Sequence, residues 1–156
     1  MTENIDQFNQ KILQLLQRDG SLSQRELAEK VHLSANACWN RLQNLKKQGI
    51  VLGQTVRLDR EKLGLGLVVF VMIKTRNHSA EWLEMFRKHV SAIPEVIDFF
   101  RIGGDYDYLL KVVTRDMKSY DGVYRRLIDG VELDAVTSNF AMETIEEQRP
   151  LPVRAG

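Results

Sequence analysis

Residues 21–53 read SLSQRELAEKVHLSANACWNRLQNLKKQGIVLG, and this stretch decides the fold of the first third of the chain. Ser23 and Glu26 have the spacing of a capping box, which predicts that a helix starts at Ser23. Ser34 is a second N-cap residue, and Gly49 is a typical residue just after the end of a helix. The stretch therefore predicts two short helices joined by a tight turn.

The second of these helices has a polar face made almost entirely of amides. Apolar residues that include Ala35, Cys38 and Leu42 fall on one side of a helical wheel, and the amides fall opposite. Asn and Gln can donate and accept at once, so they can pair with N6 and N7 of adenine in the major groove. A solvated face is the alternative, but such faces usually mix glutamate with lysine, and this helix has no acid. The predicted DNA-contacting residues are Ser34, Asn36, Trp39, Asn40, Arg41, Gln43, Asn44, Lys46 and Lys47.

The charge distribution around this helix favours a nucleic-acid partner. The 156 residues carry a net charge of only +1. No aspartate or glutamate occurs between Glu29 and Asp59, although this segment includes Arg41, Lys46 and Lys47. An acid-free basic segment is the electrostatic footprint of a phosphate-facing surface. Double-stranded DNA is therefore the predicted partner.

The composition predicts an ordinary soluble protein of the cytoplasm. Hydrophobic residues make up 44% and charged residues 28% of the chain, as in globular domains. The one cysteine, Cys38, excludes an intramolecular disulfide and fits a reducing compartment. The N-terminus has neither the basic nor the apolar region of a signal peptide. The longest apolar run, Leu67–Ile73, is too short to span a bilayer, so no membrane partner is expected.

The remaining pattern predicts two domains of an α+β protein. A helix from Asp6 to about Arg18 comes first, and alternation over 50–58 predicts a hairpin that forms a wing. The second half follows the β-α-β-β-α-β order of a ferredoxin-like domain. The predicted boundaries are a DNA-binding domain over 1–60, a linker over 61–66, the ferredoxin-like domain over 67–147 and a flexible, proline-containing tail over 148–156.

The first strand of the second domain is apolar at every position from Leu67 to Ile73. A strand in a sheet with one solvent-exposed face should alternate apolar and polar residues. We therefore expect both faces of this strand to be buried. Two helices cover only one face of such a sheet. The other face either meets a second copy of the chain or lies inside a thick monomeric core. We prefer the homodimer, since two-fold dimers are the commonest assemblies.

The turn Gly103-Gly104-Asp105-Tyr106-Asp107 has groups that suit a free amino acid. Glycine lets a ligand approach the backbone closely. Carboxylates can meet an ammonium group, exposed N–H groups can meet a carboxylate, and tyrosine can form a wall. A plain polar hairpin turn is the alternative, and it is the commoner meaning of Gly-Gly-Asp.

Residues for catalysis are not recognisable in the sequence. The three histidines, His32, His78 and His89, have no spacing that suits a metal ion. No nucleophile motif, phosphate-binding loop or zinc-binding helix motif occurs. Asp105 and Asp107 could do acid–base chemistry, but no nucleophile accompanies them. We therefore expect no catalytic residues, no metal site and no cofactor, and a protein that is not an enzyme.

From about residue 5 to 147 the chain resembles the Lrp/AsnC (feast/famine) family of transcriptional regulators. The motifs that carry this resemblance include IDQFNQKIL at 5–13, RLQNL at 41–45, PEV at 94–96 and GGDYDYLL at 103–110. Three further stretches, ACWNR at 37–41, SAEW at 79–82 and SNFAME at 138–143, resemble a subgroup that includes cysteine-responsive regulators of cysteine-degradation genes.

The resemblance implies a function and a second site. The family pairs a winged helix-turn-helix with a ferredoxin-like domain and regulates amino-acid metabolism. Its members dimerise through the second domain, commonly assemble as octamers, and bind effectors, usually amino acids, near the glycine–aspartate turn. The implied effector is an amino acid, with cysteine a candidate. The implied effector-binding residues are Gly103, Gly104, Asp105, Tyr106, Asp107, Thr137 and Ser138.

Two other functions stay open at this point. Haem-pathway decarboxylases resemble this architecture, and such an enzyme would use histidine and arginine to line a tetrapyrrole pocket, with His78 and His89 as candidate histidines. Alternatively, the chain is an amino-acid sensor that acts through proteins and does not bind DNA.

Overall fold

The structure, a computed structural model, describes residues 5–156 as two compact units. One unit comprises the described residues up to Arg57 together with Glu146–Gly156, and the other comprises Leu58–Ile145. The first unit contains helices α1 (Gln7–Arg18), α2 (Gln24–Val31) and α3 (Ala35–Lys47). The second contains β1 (Leu67–Lys74), α4 (Ala80–Ser91), β2 (Val96–Arg101), β3 (Tyr108–Thr114), α5 (Met117–Ile128) and β4 (Ala135–Phe140).

Side-chain caps define where the helices of the first unit begin, as the sequence predicts. The Asp6 carboxylate accepts a hydrogen bond at 2.8 Å from an N–H in the first turn of α1. Ser23 and Glu26 form the reciprocal bonds of a capping box at the start of α2. The Ser34 hydroxyl caps α3 in the same way. Each cap satisfies N–H groups that the first turn of a helix leaves without a backbone partner.

The turns at the ends of α2 and α3 use left-handed backbone geometry. His32 has φ 57° and ψ 44° in the turn between the two helices. Gly49 has φ 71° just after α3, a conformation that glycine adopts without steric cost. These turns let the helices pack around one core, which is formed by Ile12 and Leu13 of α1, Leu27, Ala28 and Val31 of α2, and Cys38, Leu42 and Leu45 of α3.

The hairpin that the sequence predicts over 50–58 does not form. Within the described residues, this segment contains no strand, although the side chain of Gln54 donates a hydrogen bond to the carbonyl of Gly20. Val51 packs against the core of the first unit, but the apolar side chains farther along the segment face solvent, with Leu52 95% and Val56 77% exposed. A two-stranded hairpin is marginal in water unless its apolar face is packed, and these side chains lack that packing.

The C-terminal segment lies along α1, whereas the sequence predicts a flexible tail over 148–156. The segment has no helix or strand. Its backbone nevertheless bonds to the side chains of Gln10, Gln14 and Gln17, and Val153 packs against the core of the first unit. Proline cannot donate to a strand ladder, and the glutamine side chains of α1 donate instead to the carbonyls of Leu151 and Val153.

The second unit has the predicted β-α-β-β-α-β order. Its four strands form one antiparallel sheet in the order β2-β3-β1-β4, which is the ferredoxin-like arrangement. Both helices cover the same face of the sheet. The core on that face includes Val69, Val71 and Ile73 of β1, Leu110 and Val112 of β3, Phe86 and Val90 of α4, and Val123 and Leu127 of α5.

The opposite face of the sheet carries a second group of apolar side chains. Phe70 of β1 is 38% exposed, and Met72 on the same side of the strand is half-buried. The strand register aligns Met72 with Leu109 of β3, and Leu109 with Phe100 of β2, which is 54% exposed. Because both helices lie on the other side, these four residues form an apolar surface, called here the open face.

Replacing Asp6 tests the cap of α1. Asp6→Ala should lower the free energy of unfolding of the first unit by about 1 kcal/mol at pH 7, the usual cost of losing such a cap. The bond from the Asn9 N–H, followed by the bond from Arg41, lowers the pKa of Asp6. The stability that its charge contributes is therefore complete above the unfolded pKa of about 3.9. It is lost as the pH falls through the lower folded pKa.

Asp6→Asn is the matched control, because asparagine caps a helix without a charge. Urea denaturation can be followed by the fluorescence of Trp39 in a Trp82→Phe background shared by all proteins. Asp6→Asn should lie between the unsubstituted Asp6 protein and Asp6→Ala at pH 7, and should approach the former once Asp6 is protonated. Equal stability of all three proteins at pH 7 would contradict this account of the cap.

Candidate DNA interface and effector site

One side of α3 presents a continuous polar stripe to solvent. Four of its five side chains are exposed, and the fifth, Gln43, is half-buried. Their spacing keeps them on one side of the helix, opposite the buried Cys38, Leu42 and Leu45. The structure thus brings these predicted residues together. This surface, called here the amide face, consists of Asn36, Asn40, Gln43, Asn44 and Lys47.

Other predicted DNA-contacting residues lie at the edges of the amide face. Trp39 is 44% exposed and Lys46 is exposed. The Ser34 hydroxyl oxygen accepts a hydrogen bond from the N–H of Ala37 at 3.2 Å, which leaves the hydroxyl hydrogen able to donate to a phosphate. Ala35, which the wheel assigned to the core side, is exposed in the first turn of α3.

Arg41 is directed toward α1 and is not part of the amide face. Its guanidinium contacts the Asp6 carboxylate, donates to the side-chain oxygen of Asn9 at 3.1 Å, and lies 5.1 Å from the centre of the Phe8 ring. Only 32% of the Arg41 side chain is exposed. The arginine therefore fixes α3 against the start of α1. Sequence reasoning missed this role because Asp6 and Arg41 are far apart in the chain.

Cys38 is a core residue of α3. Its side chain is 2% exposed, and burial raises the pKa of the thiol. Because the thiolate is the reactive form of cysteine, this environment suppresses redox chemistry at Cys38.

The glycine–aspartate turn lies between β2 and β3. Gly103, Gly104 and Asp105 are exposed, and Gly104 has φ 122°, a conformation that favours glycine. The Tyr106 hydroxyl lies 2.9 Å from the Thr137 hydroxyl of β4. The turn therefore places exposed backbone and a carboxylate beside a tyrosine–threonine pair.

Asp107 anchors this turn to the end of β1. Its carboxylate accepts a hydrogen bond from the N–H of Thr75 at 2.8 Å. Its own N–H donates to the carbonyl of Ile73, and its carbonyl accepts from the N–H of Ile102. Because Thr75 is 3% exposed, this bond satisfies a buried donor. One carboxylate oxygen of Asp107 is thus occupied with holding the turn in place.

Thr137 and Ser138 face opposite sides of the sheet, because successive side chains of a strand alternate. The Ser138 hydroxyl lies 2.5 Å from the hydroxyl of Tyr120 on α5, on the helix-covered side, where burial raises the pKa of Tyr120. Thr137 pairs with Met72 and shares the side of the open face. The structure therefore brings Thr137 to the glycine–aspartate turn and does not bring Ser138 there.

The described residues contain no group of three or more histidine, cysteine, aspartate or glutamate side chains that could hold a metal ion. Over the same residues, no helix has the length and apolar character needed to cross a membrane.

Each of the two units is similar to a known protein family. Residues 5–51 match a winged helix-turn-helix DNA-binding family, and residues 68–151 match the Lrp/AsnC ligand binding domain. The chain belongs to the Lrp/AsnC family. It is 48% identical over 150 residues to the DNA-binding transcriptional activator DecR of Escherichia coli strain K12, over 96% of this chain and 99% of that protein.

Two other similar proteins extend the comparison. The glutamate uptake regulatory protein of Zymomonas mobilis is 42% identical over 153 residues, which are 98% of this chain and 93% of that protein. The crystal structure of a transcriptional regulator from Neisseria meningitidis in complex with L-methionine is 32% identical. It superposes with a TM-score of 0.85 over 94% of this chain and 96% of that one. The predictions of fold class and of a DNA-binding transcriptional regulator are confirmed for this member of the Lrp/AsnC family.

The buried position of Cys38 predicts its reactivity. Ellman's reagent should modify the native protein much more slowly at pH 8 than the same protein unfolded in urea, where the thiol regains its ordinary pKa and its exposure. Absorbance of the released thionitrobenzoate measures both rates. Equal rates in the two states would contradict the buried environment.

Proposed function

We propose that this regulator controls genes of amino-acid metabolism and reads its operator through the amide face of α3. The exposure of Asn36, Asn40 and Asn44 on a helix without an acidic residue carries this proposal. Amide side chains suit adenine edges in the major groove, and Lys47 can meet a phosphate or a guanine. The similarity to the glutamate uptake regulatory protein supports amino-acid metabolism as the target.

The proposed effector is an amino acid bound at the glycine–aspartate turn. The exposed N–H groups around Gly103 and Gly104 suit its carboxylate, and the Asp105 carboxylate suits its ammonium group. Tyr106 and Thr137, joined at 2.9 Å, form one side of the proposed site. The similar protein that was solved with L-methionine supports this class of ligand, and cysteine remains a second candidate.

We propose a homodimer built on the open face of the sheet. Phe70 and Phe100 are 38% and 54% exposed there, and aromatic side chains dominate the energetics of such interfaces. A two-fold dimer presents two amide faces, so its operator should be roughly palindromic, with half-sites one or two helical turns apart. Four such dimers form the octamer that family resemblance implies.

The alternative functions are not favoured. His89 bonds through Nε2 to the carbonyl of Leu127 at 3.0 Å, and His78 is exposed, so neither is offered to a buried tetrapyrrole. The DNA-binding family match over 5–51 disfavours a sensor that acts only through proteins. We accordingly propose a cytoplasmic regulator that is not an enzyme.

Substitutions on the amide face should separate base reading from phosphate contact. Asn40→Ala should cost about 1–3 kcal/mol of operator binding and relax sequence preference, because an adenine pairing is lost. Lys47→Ala should weaken binding to all sequences and reduce the slope of log K against log salt by about 1. Fluorescence anisotropy with DNA from the protein's own promoter region measures both effects.

Lys11→Ala is the matched control. Lys11 is exposed on α1, and its replacement removes one positive charge outside the amide face. It should leave sequence preference unchanged and change affinity less than Lys47→Ala does. If Asn40→Ala and Lys47→Ala leave both affinity and preference unchanged, the amide face does not read DNA.

A thermal-shift screen of the twenty amino acids should find an effector, because a ligand selective for the native state raises stability by about 2.7 kcal/mol at one hundred times its Kd. Thr137→Val and Tyr106→Phe should weaken that shift. Ser138→Ala should not, because Ser138 faces the helix-covered side. If Ser138→Ala reduces the thermal shift more than Thr137→Val does, the ligand binds on the helix-covered side of the sheet and the proposed site is wrong.

A further inference from the structure

Three glutamines of α1 form a row beneath the C-terminal segment. Gln10, Gln14 and Gln17 are four and three residues apart, which places them on one side of the helix. The Nε2 atoms of Gln10 and Gln14 both donate to the carbonyl of Val153, at 3.1 and 3.3 Å. Gln17 makes two bonds to Leu151: its Nε2 donates to the carbonyl at 3.2 Å, and its Oε1 accepts from the N–H at 2.6 Å.

This row has the properties of a binding surface for an extended peptide. The paired bonds of Gln17 satisfy both the donor and the acceptor of one backbone unit, as a neighbouring strand would. Val153 inserts its side chain against the core of the first unit. Pro150 and Pro152, on either side of Leu151, stiffen the segment, and this lowers the conformational entropy that the segment loses on docking. The N–H of Gly156 then donates to the carbonyl of Ile5 at 3.1 Å.

The chain passes between the two units twice. The chain leaves the first unit at Arg57–Leu58 and returns to it at Ile145–Glu146. With its last residues held on α1, the DNA-binding unit is joined to the ligand-binding unit by two chain segments instead of one. Gln148, where the chain returns, has φ 54°, a backbone conformation that residues other than glycine rarely adopt.

We propose that the glutamine row of α1 is the docking surface for the C-terminal segment, and that docking restricts the orientation of the DNA-binding unit. The second part rests on the proposed dimer that reads two half-sites. A DNA-binding unit held by two chain segments samples fewer orientations than a unit held by one. Once the first unit of the dimer has bound its half-site, the effective concentration of the second amide face at the other half-site is therefore higher. Docking of the segment thus strengthens binding to a two-half-site operator and not to a single half-site.

Gln14→Ala/Gln17→Ala in the full chain removes three of these bonds without weakening α1, since alanine is the better helix former. Gln7→Ala is the matched control, because Gln7 is an exposed glutamine of the same helix. Amide hydrogen exchange measured by NMR should show the Leu151 N–H exchanging faster by on the order of tenfold in the double variant. The control should match the unsubstituted protein. Unchanged exchange in the double variant would overturn the docking surface.

DNA binding tests the restriction of orientation. The operator is first mapped on the protein's own promoter region, and one half-site is then scrambled. The double variant should bind the intact operator on the order of tenfold more weakly than the control does, and should match the control on the single half-site. An equal loss on both DNAs, or no loss on either, would overturn the restriction.

If the unsubstituted protein binds the intact and the scrambled operator equally, then the proposed two-half-site dimer is wrong and the restriction of orientation falls with it. The exchange rate of the Leu151 N–H still decides whether the glutamine row is the docking surface.

Discussion

The contact between Arg41 and the first turn of α1 constrains the orientation of the helix that carries the amide face. It joins the residue that caps α1, Asp6, to the helix that carries the amide face. The guanidinium also donates to Asn9 and lies over Phe8, so charge, hydrogen bonding and cation–π attraction act on one side chain. The amide face is therefore presented by a helix whose orientation α1 sets.

The same helix α1 connects the amide face to the rest of the chain. Its other polar side carries the glutamine row that holds Leu151 and Val153. These residues follow β4, whose Thr137 bonds to Tyr106 in the glycine–aspartate turn. A continuous stretch of chain therefore runs from the Thr137–Tyr106 contact to the residues held by the glutamine row.

Most of the fold could be predicted from local signals in the sequence. The caps at Ser23 and Ser34, the stop at Gly49 and the β-α-β-β-α-β order all depend on residues near one another in the chain, and the structure has them as predicted. The hairpin over 50–58 was predicted from alternation, but alternation cannot show whether anything covers Leu52, and it is 95% exposed.

The candidate sites were predictable only in part, for the same reason. The composition of the amide face was visible, because its members share one helix. The inward direction of Arg41 depends on Asp6, and the docking of the C-terminal segment depends on Gln17, 134 residues from Leu151 along the chain. Thr137 and Ser138 are adjacent in sequence, and only the strand register shows that Ser138 belongs to the side covered by α5.

We propose that the amide face of α3 contacts the bases of the operator. The side-chain NH₂ resonances of asparagine and glutamine report this contact directly when operator DNA is titrated into the labelled protein. We expect the resonances of Asn36, Asn40 and Asn44 to shift strongly, while that of Gln7 on α1 stays in place. Unchanged asparagine resonances in a saturated DNA complex would contradict it.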